Sequence, residues 1–240
     1  MEVAGCPVPE DRTYDLEESL WVQEDPATRI ATLGLIASLG ALAGAFTAVA
    51  FRPIPDRVAA GRSVATVESV RYTGPVRLPV DGTIVARNPE VIRRPKLLND
   101  SPYDRGWLVR FRPDPGADAS SRLETAAAIA DRLRDRIVAA RIHCAPASPD
   151  WEIVEVGSEC AATLSRLDAE LAAHPAGEVV LLVTDDPTSP IELVRWADRS
   201  GHTLLDHRPD GGFHRFLIRK EAHPVPRRRA PGTGRVGPAA

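Results

Sequence analysis

Residues 63–80 read SVATVESVRYTGPVRLPV and decide the fold of the first half of the chain. Small and β-branched residues alternate from Ser63 to Val70, which is the period of a half-buried strand. Gly74-Pro75 then turns the chain, and a second short apolar run reaches from Val76 to Val80. The stretch therefore predicts a β-hairpin.

The flanking sequence continues the β pattern on both sides of this hairpin. Asp81-Gly82 is a second tight-turn signal before Thr83 to Ala86, and Trp107 to Phe111 provides a last strand. From Leu123 to Val138 apolar residues recur at helical spacing. We expect a β-rich sandwich or flattened barrel that ends in an amphipathic helix.

An uncharged run from Ile30 to Phe51 allows two interpretations. It is long enough to cross a hydrocarbon layer of ~30 Å as a helix. Ala, Gly, Ser and Thr occupy most of it, however, so strongly apolar residues are few. The pattern favours a strand from Ala31 to Leu35 followed by an Ala-rich buried helix, with a membrane span as the alternative.

Composition sets the broad class. The 240 residues are 43% hydrophobic and 26% charged, the balance of a chain that folds into about two domains. The formal net charge of −3 provides no positive field for nucleic acid or an anionic membrane. Cys6, Cys144 and Cys160 are an odd number without metal-ligand spacing, so we expect free thiols in a reducing cytoplasm, no disulfide framework and no metal.

The second half of the chain changes to alternating strand and helix. The order is strand, helix, strand, helix and a closing strand, which predicts a two-layer α/β sandwich with both helices on one face. The strands are predicted at Trp151 to Val156, Glu178 to Thr184 and Phe213 to Arg219, and the helices at Ala161 to Ala173 and Ile191 to Arg199.

These signals divide the chain into five parts. The predicted division is a flexible arm at 1–13, a β domain with a C-terminal helix at 14–142, a linker at 143–150, an α/β domain at 151–220 and a disordered tail at 221–240. The fold class is thus α+β with two domains.

The first domain resembles the H protein of the glycine cleavage system, a lipoyl carrier. The residues that carry the resemblance are Tyr14 to Val22, Ala31 to Gly34, Val67 to Val70, Pro79 to Gly82 and Gly106 to Leu108. The resemblance implies a lipoyl-type sandwich, a barrel-sandwich hybrid, with the lipoyl lysine at a Glu-Ser-Val-Lys hairpin tip. Arg71 occupies that position here, and a guanidinium stays protonated and cannot accept an acyl group. We therefore expect no lipoate and no other cofactor.

The second domain resembles the TusA family of sulfur carriers, which hold sulfane sulfur as a cysteine persulfide. The matching residues are Gly157 to Cys160, Pro175 to Glu178, Thr184 to Pro187, Trp196, Gly201-His202 and Arg215 to Lys220. The resemblance implies that Cys160 is the catalytic residue. Its predicted place at the start of a helix favours a thiolate. Ala161 replaces the family's proline, and the Glu159 carboxylate would oppose thiolate formation if it pointed inward.

Other polar residues of this domain are expected to be structural. Asp185-Asp186-Pro187 is typical of a turn and helix cap, and His202 of a packed histidine.

Three functions fit these observations. The first is a sulfur relay on Cys160, whose partners are sulfur donor and acceptor proteins and, through the first domain, enzymes that recognise the H-protein fold. The second is a lipoyl carrier of the glycine cleavage type, and the third is a non-catalytic adaptor. Neither the partners' identity nor the oligomeric state follows from the sequence.

Overall fold

The computed structural model of the chain describes residues 1–53, 55–117 and 122–222. Contacts divide the chain into two compact units, Met1–Ser148 and Pro149–Ala240. The division falls within the segment 143–150 that the sequence predicts as a linker. The predicted disordered tail lies outside the described residues from position 223 onward.

The N-terminal unit consists mainly of β-strands. Its strands are β1 (Glu2–Val3), β2 (Cys6–Pro7), β3 (Thr13–Asp15), β4 (Leu20–Asp25), β5 (Ile30–Leu35), β6 (Phe46–Phe51), β7 (Arg57–Val58), β8 (Ser63–Ser69), β9 (Thr73–Arg77), β10 (Gly82–Arg87), β11 (Trp107–Pro113) and β12 (Glu124–Thr125). Its helices are α1 (Ala37–Ala43), α2 (Pro89–Arg93), α3 (Leu97–Asp100) and α4 (Ala126–Ala139).

Two sheets build the core of this unit. One has the strand order β12-β3-β4-β5-β11-β10-β7, and the other has the order β6-β8-β9. The predicted hairpin of residues 63–80 is confirmed as β8 and β9, whose antiparallel register pairs Val67 with Gly74. The predicted position of its turn is wrong, because Gly74 and Pro75 lie within β9 and the chain turns at residues 70–72. The strand-rich sandwich is therefore confirmed, and the described strands form open sheets rather than a closed barrel.

The uncharged run from Ile30 to Phe51 forms β5, α1 and β6. The predicted strand and the Ala-rich helix are both present, and β6 follows them as an additional strand. No helix in the described ranges has the length and hydropathy needed to span a bilayer.

The prediction of a flexible N-terminal arm is wrong. Strands β1 and β2 form a small hairpin, and Val3, Cys6 and Val8 are each 1% exposed in the core of the unit. Burying three apolar side chains offsets the entropy cost of ordering the segment.

The prediction that all three cysteines are free thiols is also wrong. Cys6 and Cys144 form a disulfide, with their Cα atoms 5.0 Å apart across a sequence separation of 138 residues. Cys144 follows α4, in a segment that packs on the same core as Cys6. Two cysteines so far apart in the sequence show no spacing that would identify them as a pair. Because two of the three thiols are oxidised, the cysteines no longer support the expectation of a reducing compartment.

The C-terminal unit is the predicted two-layer α/β sandwich. It contains β13 (Trp151–Glu155), α5 (Cys160–Ala173), β14 (Val179–Thr184), α6 (Ser189–Ser200), β15 (Thr203–Asp210) and β16 (Phe213–Arg219). The sheet order is β13-β14-β16-β15; β13 and β14 are parallel, and the other pairs are antiparallel. Residues of α5, α6 and three of the strands form its hydrophobic core.

Strand β15 was not predicted from the sequence. Its residues are partly or largely exposed throughout, so they show no alternation of buried apolar and exposed polar side chains. It also contains Pro209, which is tolerated here because β15 lies at the edge of the sheet.

The disulfide predicts a measurable loss of stability on reduction. Replacing both partners, Cys6→Ser with Cys144→Ser, should lower the free energy of unfolding by about 2–5 kcal/mol, because the unfolded chain regains the freedom that the cross-link removes. Denaturant unfolding measures the change, with Cys160→Ser as the control that keeps the cross-link. Unreduced protein should titrate one thiol when denatured, and three thiols would contradict the disulfide.

Candidate functional site

The tip of the β8–β9 hairpin is organised by Ser69. Its hydroxyl accepts hydrogen bonds from the backbone N–H groups of Arg71 (3.2 Å) and Tyr72 (3.0 Å), and donates one to the carbonyl of Ala43 (2.8 Å). Val70 is 94% exposed at this turn. The hairpin thus presents residues 70 and 71 outward, as the sequence predicts for a carrier position.

Arg71 is exposed, and its guanidinium lies beside the end of α1. A Cβ atom built on Gly44 would lie 2.9 Å from Nη2 of Arg71, so the guanidinium rests on the bare backbone at the end of α1. Within the described part of the chain, no carboxylate forms an ion pair with it. Because Gly44 has no side chain, the Arg71 guanidinium fits against it. This guanidinium stays protonated and cannot accept an acyl group.

The chain's lysines lie elsewhere. The sequence contains only Lys96 and Lys220. Lys96 forms an ion pair with Asp100 at 3.1 Å, and the ammonium of Lys220 donates a hydrogen bond to the carbonyl of His174. No lysine is therefore available at the hairpin tip.

Cys160 is the first residue of α5 and is half-buried. The chain reaches it from the carboxyl end of β13 through Gly157, whose φ of 72° is the left-handed conformation that glycine adopts without strain. The Gly157 N–H donates a hydrogen bond to the Asp185 carboxylate at 2.8 Å. The helix begins at the cysteine even though Ala161 replaces the proline of the family motif.

Asp186 follows β14 and lies near the start of α5. Its carboxylate accepts hydrogen bonds from the N–H and the hydroxyl of Thr188, each at 2.7 Å. These hydrogen bonds, with a smaller contribution from the backbone N–H of Cys160, hold the pKa of the carboxyl below its ordinary value. Glu159 occupies the N-cap position without making a side-chain cap. A residue from a distant part of the sequence therefore places its negative charge near the start of α5.

The electrostatic setting of Cys160 differs from the predicted one. Desolvation raises the pKa of the thiol above its ordinary value, and the Asp186 and Glu192 carboxylates raise it further, while the nearby Thr188 side chain lowers it. Burial and the two carboxylates therefore oppose the effect of the helix N-terminus that the sequence predicts. The carboxylates that oppose thiolate formation are those of Asp186 and Glu192, whereas the sequence analysis named Glu159.

The fold explains why Asp186 was missed as a site residue. Strands β13 and β14 are parallel, so their carboxyl ends meet at one edge of the sheet and bring the segments after them together. The Asp-Asp-Pro sequence does form the expected turn with Thr188. Asp186 comes shortly after β14, and Cys160 comes shortly after the parallel strand β13. This shared position after parallel strands could have identified Asp186 as a neighbour of Cys160.

Two buried hydroxyl groups lie in the first turns of the neighbouring helices. Thr163 in α5 and Ser189 in α6 are each 1% exposed. Neither Oγ1 of Thr163 nor Oγ of Ser189 has a hydrogen-bond partner among the described residues. The first turn of each helix therefore contains a buried hydroxyl group that forms no hydrogen bond with the described residues.

His202 has the structural setting expected from the sequence. Its Nδ1 atom accepts a hydrogen bond from the N–H of Glu221 at 3.2 Å, and its ring lies 5.8 Å from that of Trp196.

Comparisons with known proteins agree with this division of the chain. Residues 12–136 match the glycine cleavage H-protein family, and residues 155–220 match the family described as sulfurtransferase TusA. The first match spans slightly more than half of the chain, and the second contains Cys160 and Asp186.

The similar proteins are H proteins. Glycine cleavage system H protein 5 of Aquifex aeolicus is 35% identical over 147 residues, which are 60% of this chain and 98% of that protein. H protein 3 of the same organism is 37% identical over 112 residues, 47% of this chain and 69% of the relative. The crystal structure of an H protein from Mycobacterium marinum is 25% identical and covers 52% of this chain and 98% of its own, with a TM-score of 0.46. The chain belongs to the glycine cleavage H-protein family, and a TusA domain is fused to its H-protein domain.

Proposed function

We propose that the protein relays sulfane sulfur as a persulfide on Cys160, with the H-protein domain serving to dock a partner. The observation that carries the proposal is a single free, half-buried cysteine at the first turn of a helix, in the domain that matches TusA. The corresponding carrier position of the other domain holds an arginine.

The proposed transfer is a balanced exchange between sulfur atoms. The Cys160 thiolate attacks the outer sulfur of a donor persulfide, a new S–S bond forms, the donor's S–S bond breaks, and the donor leaves as a thiolate. The outer sulfur keeps its proton. An acceptor thiolate then attacks the outer sulfur on Cys160 and regenerates the Cys160 thiolate. No external oxidant or reductant is consumed.

The raised pKa of Cys160 constrains this chemistry. At neutral pH most of the protein carries the thiol, so reactions with dissolved disulfides are slow. Transfer then depends on a docked donor that replaces water around the site and supplies its own charges.

The H-protein domain has the role of a docking module in this proposal. Arg71 replaces the carrier lysine, whereas the hairpin around it retains its shape through Ser69. A partner that recognises the H-protein fold could bind this domain without lipoate. The cytoplasm is the proposed compartment of this relay, and the Cys6–Cys144 disulfide, in which Cys6 is 1% exposed, must then resist reduction there.

Sulfur loading is the direct test of the proposal. Prolonged incubation with inorganic polysulfide at pH 9, where more of Cys160 is the thiolate than at neutral pH, should add one sulfur atom to the protein in its intact mass, and dithiothreitol should remove it. Cys160→Ala should gain no sulfur, whereas Cys6→Ser with Cys144→Ser should still load. An unchanged wild-type mass, or loading that persists in Cys160→Ala, would leave only the adaptor function.

The Asp186→Asn variant tests the origin of the raised thiol pKa. Removal of one nearby negative charge lowers the pKa, so alkylation by uncharged iodoacetamide at pH 7 should be about three- to tenfold faster. Asparagine keeps an oxygen that can accept the hydrogen bonds from Thr188. Asp185→Asn, which removes a charge from the neighbouring residue, is the matched control and should change the rate less. An equal increase in the alkylation rate of both variants would contradict a specific effect of Asp186 and would indicate that any nearby negative charge acts equally on Cys160.

The Arg71→Lys variant tests why the first domain carries no lipoate in this proposal. In a host with lipoylation enzymes, wild-type protein should keep its unmodified mass, and Arg71→Lys should gain a lipoyl group because the hairpin already presents residue 71. Tyr72→Lys places the same amine one residue away and should stay unmodified. A lipoyl adduct on the wild-type chain would favour the lipoyl-carrier function instead.

A further inference from the structure

A short loop, residues 156–159, joins the end of β13 to Cys160 at the start of α5. Because Cys160 is the first residue after this loop, the conformation of the loop determines where the sulfur lies relative to the sheet. Gly157, Ser158 and Glu159 each form a hydrogen bond with an identified partner. These partners show what holds the thiol in place.

Ser158 and Glu159 are held by residues close to them in the sequence. The Ser158 hydroxyl donates a hydrogen bond to the Glu155 carboxylate at 2.7 Å, and this carboxylate also forms an ion pair with Arg166 of α5. The Glu159 carbonyl accepts two backbone N–H groups from the first turn of α5, at 3.0 and 3.1 Å. These contacts join the loop to the strand before it and to the helix after it.

Asp185 holds the loop from a different part of the chain. Its carboxylate accepts the N–H of Gly157 at 2.8 Å. Asp185 directly follows Thr184, the fully buried last residue of β14. Thr184 is paired on both sides, with Glu155 of β13 and with His214 of β16. The hydrogen bond therefore ties the loop before Cys160 to the end of a strand that has neighbours on both sides.

We propose that Asp185 is a positioning residue for Cys160: by accepting the Gly157 N–H, it holds the loop in one conformation and the sulfur in one place. Asp185 acts through Gly157 rather than on the sulfur itself. The inference rests on the proposed function only for the purpose of this placement. A docked donor presents its persulfide in one orientation, and a displacement of about 1 Å can slow such a reaction about a hundredfold.

The partial burial of Cys160 makes this placement measurable without a partner protein. Desolvation is the first of the effects that raise the pKa of the thiol. When the loop is released from Asp185, the sulfur becomes more solvated and the pKa of the thiol falls toward its ordinary value. A larger fraction of thiolate at neutral pH then speeds alkylation.

Three variants separate the hydrogen bond of Asp185 from its charge. Asp185→Asn removes the charge and keeps an oxygen that can accept the Gly157 N–H, whereas Asp185→Ala removes both. Asp150→Ala is the matched control, because the Asp150 carboxylate accepts the N–H of Val179 at 2.8 Å. This control removes the same kind of hydrogen bond at the opposite end of β13 and β14 from Cys160.

Alkylation of Cys160 by iodoacetamide is measured in the folded full chain at pH 7, where the disulfide leaves one reactive thiol. Asp185→Ala should react about three- to tenfold faster than Asp185→Asn, as expected when the thiol pKa falls by about half a unit to one unit. Asp185→Asn and Asp150→Ala should remain close to the wild-type rate. Hydrogen exchange of the Gly157 amide, followed by NMR, should be faster in Asp185→Ala than in the other three proteins.

Equal alkylation rates in Asp185→Ala and Asp185→Asn would overturn the inference, even with faster exchange of the Gly157 amide, because the hydrogen bond would then not place the sulfur. An equal increase in Asp150→Ala would also overturn it, since a general loss of stability would explain the change. Near-ultraviolet circular dichroism shows whether each variant keeps its fold. Asp185→Leu, which is similar in shape to asparagine and has no acceptor, provides the same comparison if the alanine variant does not fold.

The outcome is separate from that of sulfur loading, because alkylation requires no sulfur on Cys160. Sulfur loading together with equal alkylation rates contradicts the positioning role alone. Faster alkylation of Asp185→Ala in a protein that does not load sulfur contradicts the relay alone.

Discussion

The parallel pairing of β13 with β14 is the constraint on which the candidate site depends. Because these strands run in the same direction, their carboxyl ends and the first turns of α5 and α6 meet at one edge of the sheet. This places Cys160 beside Asp186 and Thr188, although the sequence separates them by more than twenty residues. The antiparallel β16 then brings His214 to the same edge. Without the parallel pair, the cysteine would be an ordinary residue at the start of a helix.

The two domains differ at the positions that the family resemblances mark as carrier sites. In the H-protein domain the presenting hairpin is intact, and Arg71 lies on Gly44 where the family has its lipoyl lysine. In the TusA domain the cysteine is retained and its surroundings are altered. Cys160 lacks the following proline, and the Asp186 and Glu192 carboxylates raise the pKa of its thiol. The chain thus joins an H-protein domain that has an arginine at the hairpin tip to a TusA domain that has a free cysteine at the start of its first helix.

Local sequence patterns were sufficient for much of this architecture. The alternation that begins at Ser63 and the buried strand ending at Thr184 each carry their signal within a few residues, and both strands are present. The turn was placed wrongly, because Gly74-Pro75 lies within β9 and the hairpin turns at residues 70–72. The positions of Arg71 and Cys160 depend on neighbouring motif residues. Features that join distant residues could not be predicted in this way. The Cys6–Cys144 disulfide and the placement of Asp186 near Cys160 arise from chain segments that only the fold brings together.

The central claim is that the covalent cargo of this protein belongs on Cys160 and not on the H-protein hairpin. Its most direct test is fragment-level mass spectrometry of the full chain isolated, without reductant, from cells that both lipoylate proteins and supply sulfane sulfur. The account predicts a fraction of molecules with one additional sulfur atom on Cys160 and no lipoyl adduct on Lys96 or Lys220. A lipoyl group on either lysine, or a Cys160 that is unmodified in every molecule, would contradict it.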